Sequence, residues 1–215
     1  MPDAPATTPF PQSTQVVMTP LVVNLDDDNG DGLVDERDYA EIVFLSFRGG
    51  GSITADGILR AVHGGGPNRG RDFFASCGAT VWHEGDPLTA TCAATAGVVD
   101  STAGLAAGDI DGDGVPEIVA VSETDRVQVY SSTGVLLLDT GGAAIAGNGS
   151  PAIANIDGAG LAEVVLGAHV FTFEHPAGGA LALVDRFDGS LGQGTNGQGP
   201  IACIANIVGG SEVGL

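Results

Sequence analysis

Apolar residues occur in short runs of five or six, and glycine or acidic residues separate these runs. Val127 and Val129 alternate with polar residues in one run, as do Phe171 and Phe173 in another. A period of two in β-branched and aromatic residues predicts half-buried strands. No segment has the spacing of a long amphipathic helix. The pattern therefore predicts an all-β fold.

Four segments repeat one plan, in which a short apolar strand is followed by an acidic or glycine-rich turn and a second apolar strand. They are TPLVVNLDDDNGDGLVDERDYAEIVFLSF (19–47), GLAAGDIDGDGVPEIVAVSE (104–123), SPAIANIDGAGLAEVVLGAH (150–169) and GPIACIANIVGGSEVGL (199–215). Two further strand-like runs follow each of the first three. These runs are GILRAV (57–62) and ATVWHE (79–84), RVQVY (126–130) and VLLLD (135–139), and HVFTF (169–173) and ALALVD (180–185).

Four antiparallel strands that recur every 40 to 50 residues are typical of a β-propeller blade. A β-sandwich also has alternating strands, but it gives no reason for the same acidic turn to recur in each unit. We therefore predict a β-propeller of four-stranded antiparallel blades, as an incomplete ring of about three blades plus the start of a fourth. The boundaries are a proline-rich linker or arm over 1–15, blades over 16–100, 101–146 and 147–197, and a partial blade over 198–215. We expect a fragment of a longer chain or a subunit whose partner supplies the missing strands.

Charge is the second informative feature, because 27 acidic residues stand against 7 basic ones and the net charge is −20. The chain has no lysine, which excludes a surface for nucleic-acid binding. No apolar run approaches the ~18 residues that a membrane span needs. Fourteen of the 27 acidic residues fall within the first three turns, at 26–41, 109–117 and 157–163. Charge clustered in this way indicates cation sites rather than a solvated surface.

The segment DDNGDGLVDERD (27–38) fits the EF-hand calcium loop in its spacing. Gly32 occupies position 6, where the chain turns sharply. The predicted ligands at positions 1, 3, 5, 7, 9 and 12 are Asp27, Asn29, Asp31, the Leu33 carbonyl, Asp35 and Asp38. Both flanks read as strands, so a calmodulin-like switch of helices does not follow.

The second turn is a tighter form of the same loop. Its predicted Ca²⁺ ligands are Asp109, Asp111, Asp113, the Val115 carbonyl and Glu117. In the first repeat Asn24, Asp26 and Glu41 take the positions of Asp109, Asp111 and Glu117, and they are weaker candidates for an additional ion. Asn155, Asp157 and Glu163 in the third turn are weaker candidates too, for either a weak ion site or a plain turn. The fourth turn, 206–212, has lost nearly all of its acid and is predicted to be structural.

The patterns DIDGDGVPEIV (109–119) and DDNGDGLVDERDYAEIVF (27–44) resemble FG-GAP/VCBS repeats, the calcium-binding blades of integrin-α-like propellers. The resemblance covers roughly residues 16–215 and is most specific in the first two repeats. It implies an extracellular or cell-surface propeller in which calcium ions fix the turns between the first two strands of each blade. Blades one to three lack the Phe-Gly…Gly-Ala-Pro consensus of the family, so integrin-like ligand recognition is not implied.

Three cysteines leave the pairing open, since spacing alone does not establish connectivity. Cys77 and Cys92 bracket a short loop and could form a disulfide. Cys203 lies in an apolar run and is then expected to be a buried thiol.

Catalytic motifs are missing from the sequence, which has neither a Gly-x-Ser-x-Gly elbow nor a His-Glu-x-x-His pair. We therefore expect a non-enzymatic, calcium-stabilised extracellular or cell-surface module with a structural, adhesive or assembly role. The expected partners are a protein or glycan at the cell surface, or copies of the chain itself. One alternative is a polysaccharide lyase, because some FG-GAP-like propellers have that activity, but seven arginines and no lysine leave few cations for a uronic acid substrate. The other is a subunit of a self-assembling extracellular filament.

Overall fold

The structure is a computed structural model that describes residues 8–50, 57–88, 92, 98–141, 149–175, 179–189 and 201–204. These residues form three antiparallel sheets and contain no helix. The predicted all-β class is therefore confirmed. The sheets do not close into a barrel or a ring within the part of the chain that is described.

The first sheet contains β1 Ser13–Gln15, β2 Leu21–Val23, β3 Glu41–Arg48, β4 Ile58–His63, β5 Asp72–Cys77 and β6 Thr80–His83. The second contains β7 Ala106–Gly108, β8 Glu117–Val121, β9 Val127–Tyr130 and β10 Leu136–Asp139. The third contains β11 Ala152–Ala154, β12 Glu163–Leu166, β13 His169–Glu174 and β14 Ala182–Asp188. Strands that follow one another along the chain pair with one another in the second and third sheets, as in a meander.

The strand that directly follows each acidic turn begins with a buried glutamate. Glu41, Glu117 and Glu163 are 0%, 3% and 5% exposed, respectively. Each side chain accepts the backbone N–H of the first apolar residue of its own turn; the donors are Leu25, Ile110 and Ile156. The three turns therefore have the register that the sequence repeat predicts.

The second sheet lies between the other two. On one face, Ile118, Ala120 and Tyr130 pack with Leu45 and Phe74 of the first sheet. Its other face packs against the third sheet, through Val119, Val121, Val127 and Val129 on one side and Val164, Leu166, Phe171 and Phe173 on the other. Because side chains alternate between the faces of a strand, one apolar strand serves both interfaces. The first strands are also neighbours, since β7 contacts both β2 and β11.

The first sheet differs from the predicted four-stranded unit, because it has six strands. β5 is an additional strand, since its residues lie between the predicted strand-like runs 57–62 and 79–84. Phe74 of β5 is fully buried against Tyr130 and its neighbours in the second sheet. The segment before β5 is rich in glycine and arginine and gives no strand pattern. The burial of β5 depends on its packing against the second sheet.

The end of the proline-rich arm is packed against the first sheet. Phe10 is 4% exposed, and β1 pairs with β3. Arg60 donates hydrogen bonds to the carbonyl groups of Pro9 and Phe10 and forms an ion pair with Asp72 at 2.9 Å. The packed structure therefore begins before residue 16.

Cys77 and Cys92 form a disulfide, with their Cα atoms 5.8 Å apart. The sequence had left this pairing open. The expectation of a buried Cys203 is wrong, because this thiol is exposed. Cys203 lies in the short stretch 201–204, in which the Ala202 N–H donates a hydrogen bond to the carbonyl of Ser150, two residues before β11. The rest of the predicted partial blade lies outside the described residues.

Candidate metal centre

The acidic turn between β7 and β8 brings three carboxylates together. Side-chain oxygens of Asp109, Asp111 and Glu117 all lie within 4.8 Å of one another. Asp109 directly follows β7 and Glu117 begins β8, so two strand ends hold the cluster. Among the described residues, no other three Asp, Glu, His or Cys side chains converge in this way. Hard oxygen donors around a short turn match the ligand preference of calcium.

Backbone N–H groups of the turn hold these carboxylates in place. Asp109 accepts hydrogen bonds from Gly112 at 2.6 Å and from Gly114 at 3.0 Å, and Asp111 accepts one from Asp113 at 3.1 Å. The φ angles of Gly112 and Gly114 are +84° and +89°, which glycine adopts without strain. The chain therefore curls around Asp109, so that alternate side chains can share one centre.

Glu117 forms the buried wall of the cluster. Burial raises the pKa of Glu117 to about 7; the Ile110 N–H opposes this effect, and the charge of Asp111 adds to it. Burial also raises the pKa of Asp111. Burial disfavours the ionised carboxylate, whereas a nearby positive charge favours it. A divalent cation at the centre would therefore favour the ionised form of both groups.

One further predicted ligand of this turn, Asp113, lies outside the cluster. Asp113 is exposed, accepts the N–H of Val115 at 2.7 Å and does not belong to the converging group. A residue that was not predicted approaches from the third sheet, since His175 Nδ1 is 3.2 Å from Asp111 Oδ2. His175 directly follows β13, so the second and third sheets meet at this turn.

The loop 27–38 repeats the hydrogen bonding of the second turn. Asp27 accepts the N–H groups of Gly30 and Gly32, each at 2.7 Å, and these glycines have φ angles of +77° and +90°. Other side chains of the loop also accept backbone N–H groups. Asn29 accepts the N–H of Asp31, and Asp31 accepts the N–H of Leu33. Asp38 accepts the N–H groups of Asn29 and Asp35. The loop therefore curls as the EF-hand spacing predicts, although its carboxylates do not converge as closely as those of the second turn.

A guanidinium group pairs with two of the predicted ligands in this loop. Arg37 lies 3.1 Å from Asp31 and 2.5 Å from Asp35, and its side chain is 60% exposed. Its hydrogen bond lowers the pKa of Asp35. A calcium ion that binds Asp31 and Asp35 would have to displace Arg37.

The weaker candidates of the first repeat lie at the inner end of the loop. Glu41 Oε1 and Asp26 Oδ1 are buried and make no hydrogen bond, which is true of no other side-chain nitrogen or oxygen among the described residues. Burial raises the pKa of Glu41 to about 7 and also raises the pKa of Asp26. Asn24 donates a hydrogen bond to the Asp35 carbonyl and so ties the two ends of the loop together.

The third turn keeps the fold of the repeat with less charge. Glu163 accepts the Ile156 N–H at 2.7 Å, Asp157 accepts the Ala159 N–H at 2.8 Å, and the Asn155 amide donates to the Gly160 carbonyl at 3.3 Å. The turn therefore keeps hydrogen bonds of the repeat with fewer carboxylates, and both predicted alternatives, a weak ion site and a plain turn, stay open. The fourth turn, 206–212, lies outside the described residues.

Sequence reasoning missed three side chains beside the acidic groups, namely Arg37, His63 and His175. The strand register offered a signal for one of them, because Glu41 and His63 are directly opposite each other in the β3–β4 pair. His175 offered none, since it reaches Asp111 from a different sheet.

Comparison with known proteins supports the fold. No family model matches the chain, and no curated protein matches it. The crystal structure of the V. cholerae biofilm matrix protein Bap1 matches with a TM-score of 0.60 and 24% sequence identity, over 97% of this chain and 36% of that chain. The chain thus spans about a third of the length of the structure that it matches. In the described residues, no helix has the length and hydropathy that crossing a membrane requires. At this level of identity, the likeness to Bap1 is a likeness of fold.

Proposed function

We propose that the chain is a calcium-stabilised segment of an extracellular β-propeller and that its role is structural or adhesive. The convergence of Asp109, Asp111 and Glu117 within 4.8 Å is the observation that carries the calcium site. The loop 27–38 is the second proposed calcium site, because its hydrogen bonding matches that of the first. Extracellular modules can use weak sites of this kind, with dissociation constants of about 10⁻⁴–10⁻³ M.

Calcium suits the second turn because every predicted ligand there is an oxygen and the turn is short. Magnesium demands near-ideal octahedral geometry and keeps several waters, whereas calcium accepts six to eight oxygens at variable angles. The backbone bonds to Asp109 and Asp111 leave each carboxylate with further lone pairs for an ion. Binding would also relieve the repulsion among the clustered charges.

The ion would act as a staple between two sheets. Ile110 lies between Asp109 and Asp111 and is fully buried in the core that the second and third sheets share. Gly112 comes so close to Leu161 of the third turn that a Cβ at this position would lie 3.0 Å from its side chain. Fixing the turn therefore fixes a contact between sheets as well as the β7–β8 connection.

The propeller interpretation is supported by a row of apolar residues that recurs from sheet to sheet. In the second sheet, the row that faces the third sheet is Ala106, Val119, Val129 and Leu138. In the third sheet, the same register positions hold Ala152, Val165, Val170 and Phe187. Alternation directs this second row away from the second sheet, and Phe187 is 63% exposed. The row has the composition to receive a further sheet of the same repeat.

Two observations support an extracellular location. Cys77 and Cys92 form a disulfide, and such bonds persist in oxidising compartments. The structural neighbour is a biofilm matrix protein, which fits a structural or adhesive role outside the cell. We therefore favour a non-catalytic module whose partners are proteins or glycans at the cell surface, or copies of itself.

The calcium proposal is tested most sharply by Glu117→Gln. The amide keeps an acceptor for the Ile110 N–H and removes a charged ligand, so we expect calcium affinity at this turn to fall about tenfold or more, which corresponds to about 1.4 kcal/mol. The matched control is Glu163→Gln, which makes the same change at the equivalent position of the third turn. Calorimetric calcium titration and denaturant unfolding in EGTA separate lost binding from a folding defect. Equal calcium stabilisation of E117Q and the unmodified protein would contradict the proposal.

A further inference from the structure

Glu41 and His63 form a close pair at the inner end of the loop 27–38. They are directly opposite each other in the β3–β4 pair, and His63 Nδ1 lies 3.5 Å from Glu41 Oε1. The Glu41 side chain is 0% exposed, and its Oε1 makes no hydrogen bond. A buried carboxylate oxygen that accepts no hydrogen bond is costly unless a positive group faces it, and His63 supplies a positive charge only when its imidazole is protonated.

The distance between these two atoms fits two ligands of one metal ion. Zinc binds imidazole nitrogen and carboxylate oxygen at about 2.0–2.2 Å, which places two tetrahedral ligands roughly 3.3–3.6 Å apart. The observed 3.5 Å is also long for a strong charge-assisted hydrogen bond, which usually measures about 2.7–2.9 Å. The pair is therefore spaced for a shared ion.

The other imidazole nitrogen has the partner that a metal-binding histidine usually has. His63 Nε2 lies 3.3 Å from Glu84 Oε2, and Arg71 holds the opposite oxygen of Glu84 at 2.9 Å. A carboxylate that accepts the Nε2–H leaves a lone pair on Nδ1 and orients the ring. Phe73 packs beside the ring, with the two centroids 5.1 Å apart. His63 is thus held with Nδ1 towards Glu41.

Asp26 supplies a third carboxylate that interacts electrostatically with this pair. Its Oδ1 is buried without a hydrogen bond, and the charge of Asp26 acts on both Glu41 and His63. The three side chains do not yet converge as closely as those of the second turn, so Asp26 has to rotate about its side-chain torsions to complete the set.

We propose that Asp26, Glu41 and His63 bind a zinc-class divalent cation. One imidazole nitrogen and two carboxylate oxygens form a donor set that suits zinc, whereas calcium takes oxygen ligands. The site does not rest on calcium binding in the second turn or in loop 27–38, because none of its three side chains belongs to either ligand set. Asp26 and Glu41 are among the weaker candidates of the first repeat, and His63 is the ligand that changes the expected ion. It would tie the loop 27–38 to β3 and β4 at a point where the fold buries two carboxylate oxygens that make no hydrogen bond.

The test is titration of the full chain with Co²⁺, a spectroscopic substitute for zinc, in the presence of saturating calcium. We expect one equivalent to produce visible absorption bands, and zinc to remove them by competition. His63→Gln and Glu41→Gln should each abolish the bands. His83→Gln is the matched control, since this more exposed histidine also lies near a carboxylate, and it should leave them unchanged. Glu117→Gln should leave them unchanged too, so failure of the calcium proposal is distinguishable from failure of this one.

Three results would overturn the proposal: no cobalt bands, bands that persist in H63Q, or bands that disappear as calcium is raised further. If H63Q does not fold, imidazole nitrogen NMR of the unmodified protein decides. Zinc must then shift the Nδ1 resonance of His63, and an unshifted resonance means that His63 is only an ion-pair partner of Glu41.

Discussion

Asp27 and Asp109 show how single residues organise the acidic turns. Each accepts two glycine N–H groups from the chain that curls around it, and the glycines have positive φ angles. The two turns differ in the group that lies beside their aspartates. Glu117 closes the second turn as a buried carboxylate, whereas Arg37 pairs with two acidic residues of the first loop.

Replacing this arginine should strengthen calcium binding in the first loop. Arg37→Gln removes a cation that competes for Asp31 and Asp35, and we expect the calcium affinity of loop 27–38 to rise a few-fold. Calcium titration of this variant measures the change. Arg69→Gln removes the same charge from an exposed position elsewhere and is the control. Unchanged or weaker binding in R37Q would show that the guanidinium does not compete with calcium.

The metal-free protein should lose stability as pH rises through the window set by Glu117. Its pKa in the fold is about 7, against an ordinary value of 4.5, so between these values the folded state binds more protons than the unfolded chain does. The free energy of unfolding without metal therefore falls as pH increases from 4.5 to about 7. Calcium binds the ionised carboxylate, so its stabilising effect should grow over the same window.

Denaturant unfolding of chelator-treated protein across this pH window, with and without added calcium, measures both trends. Glu117→Gln should weaken the metal-free trend relative to Glu163→Gln, and Glu41, whose pKa is also raised to about 7, accounts for a remaining slope. A calcium effect that stays constant across the window would show that Glu117 does not titrate in the metal-free fold.

At the scale of strands and turns, the repeat in the sequence predicted the second and third sheets well. Apolar alternation and a recurring glutamate carry their register, and both features are local. β5 escaped prediction because Phe74 is buried by Tyr130 of another sheet, which no local pattern records. The same holds for the site, since the acidic spacing is visible in the sequence but the approach of His63 and His175 depends on strand pairing and sheet packing.

The turn between β9 and β10 contacts the first sheet, and the addition of one methyl group at Gly134 tests this contact. Gly134 has a φ of +81°, and a Cβ there would lie 2.4 Å from the Phe74 ring; Ser76 donates a hydrogen bond to the Gly134 carbonyl. Gly134→Ala should therefore destabilise the protein by about 1–3 kcal/mol more than a glycine replacement that meets no neighbour.

Gly85→Ala is that comparison, because Gly85 has a φ of +95° and open space around its position. It isolates the backbone strain, of about 1 kcal/mol. Denaturant midpoints of the two variants give the difference. Equal losses would mean that the β9–β10 turn does not press against the first sheet in solution.

At the scale of the whole molecule, three sheets share two apolar interfaces, and the proposed calcium turn lies beside the core of one of them. Each bound calcium ion would remove two units from a net charge of −20. Many of the acidic residues lie in the turns, so electrostatic repulsion among their carboxylates destabilises the same turns that connect the paired strands. Metal binding and the stability of the whole fold should therefore be linked.

The most direct test of the calcium account is a thermal melt of the full chain in EGTA, followed by addition of calcium or magnesium. We predict a large fall in melting temperature in EGTA, full recovery with calcium and poor recovery with magnesium, because magnesium needs octahedral geometry and retains its waters. A melting temperature that is the same in EGTA and in calcium would contradict the account.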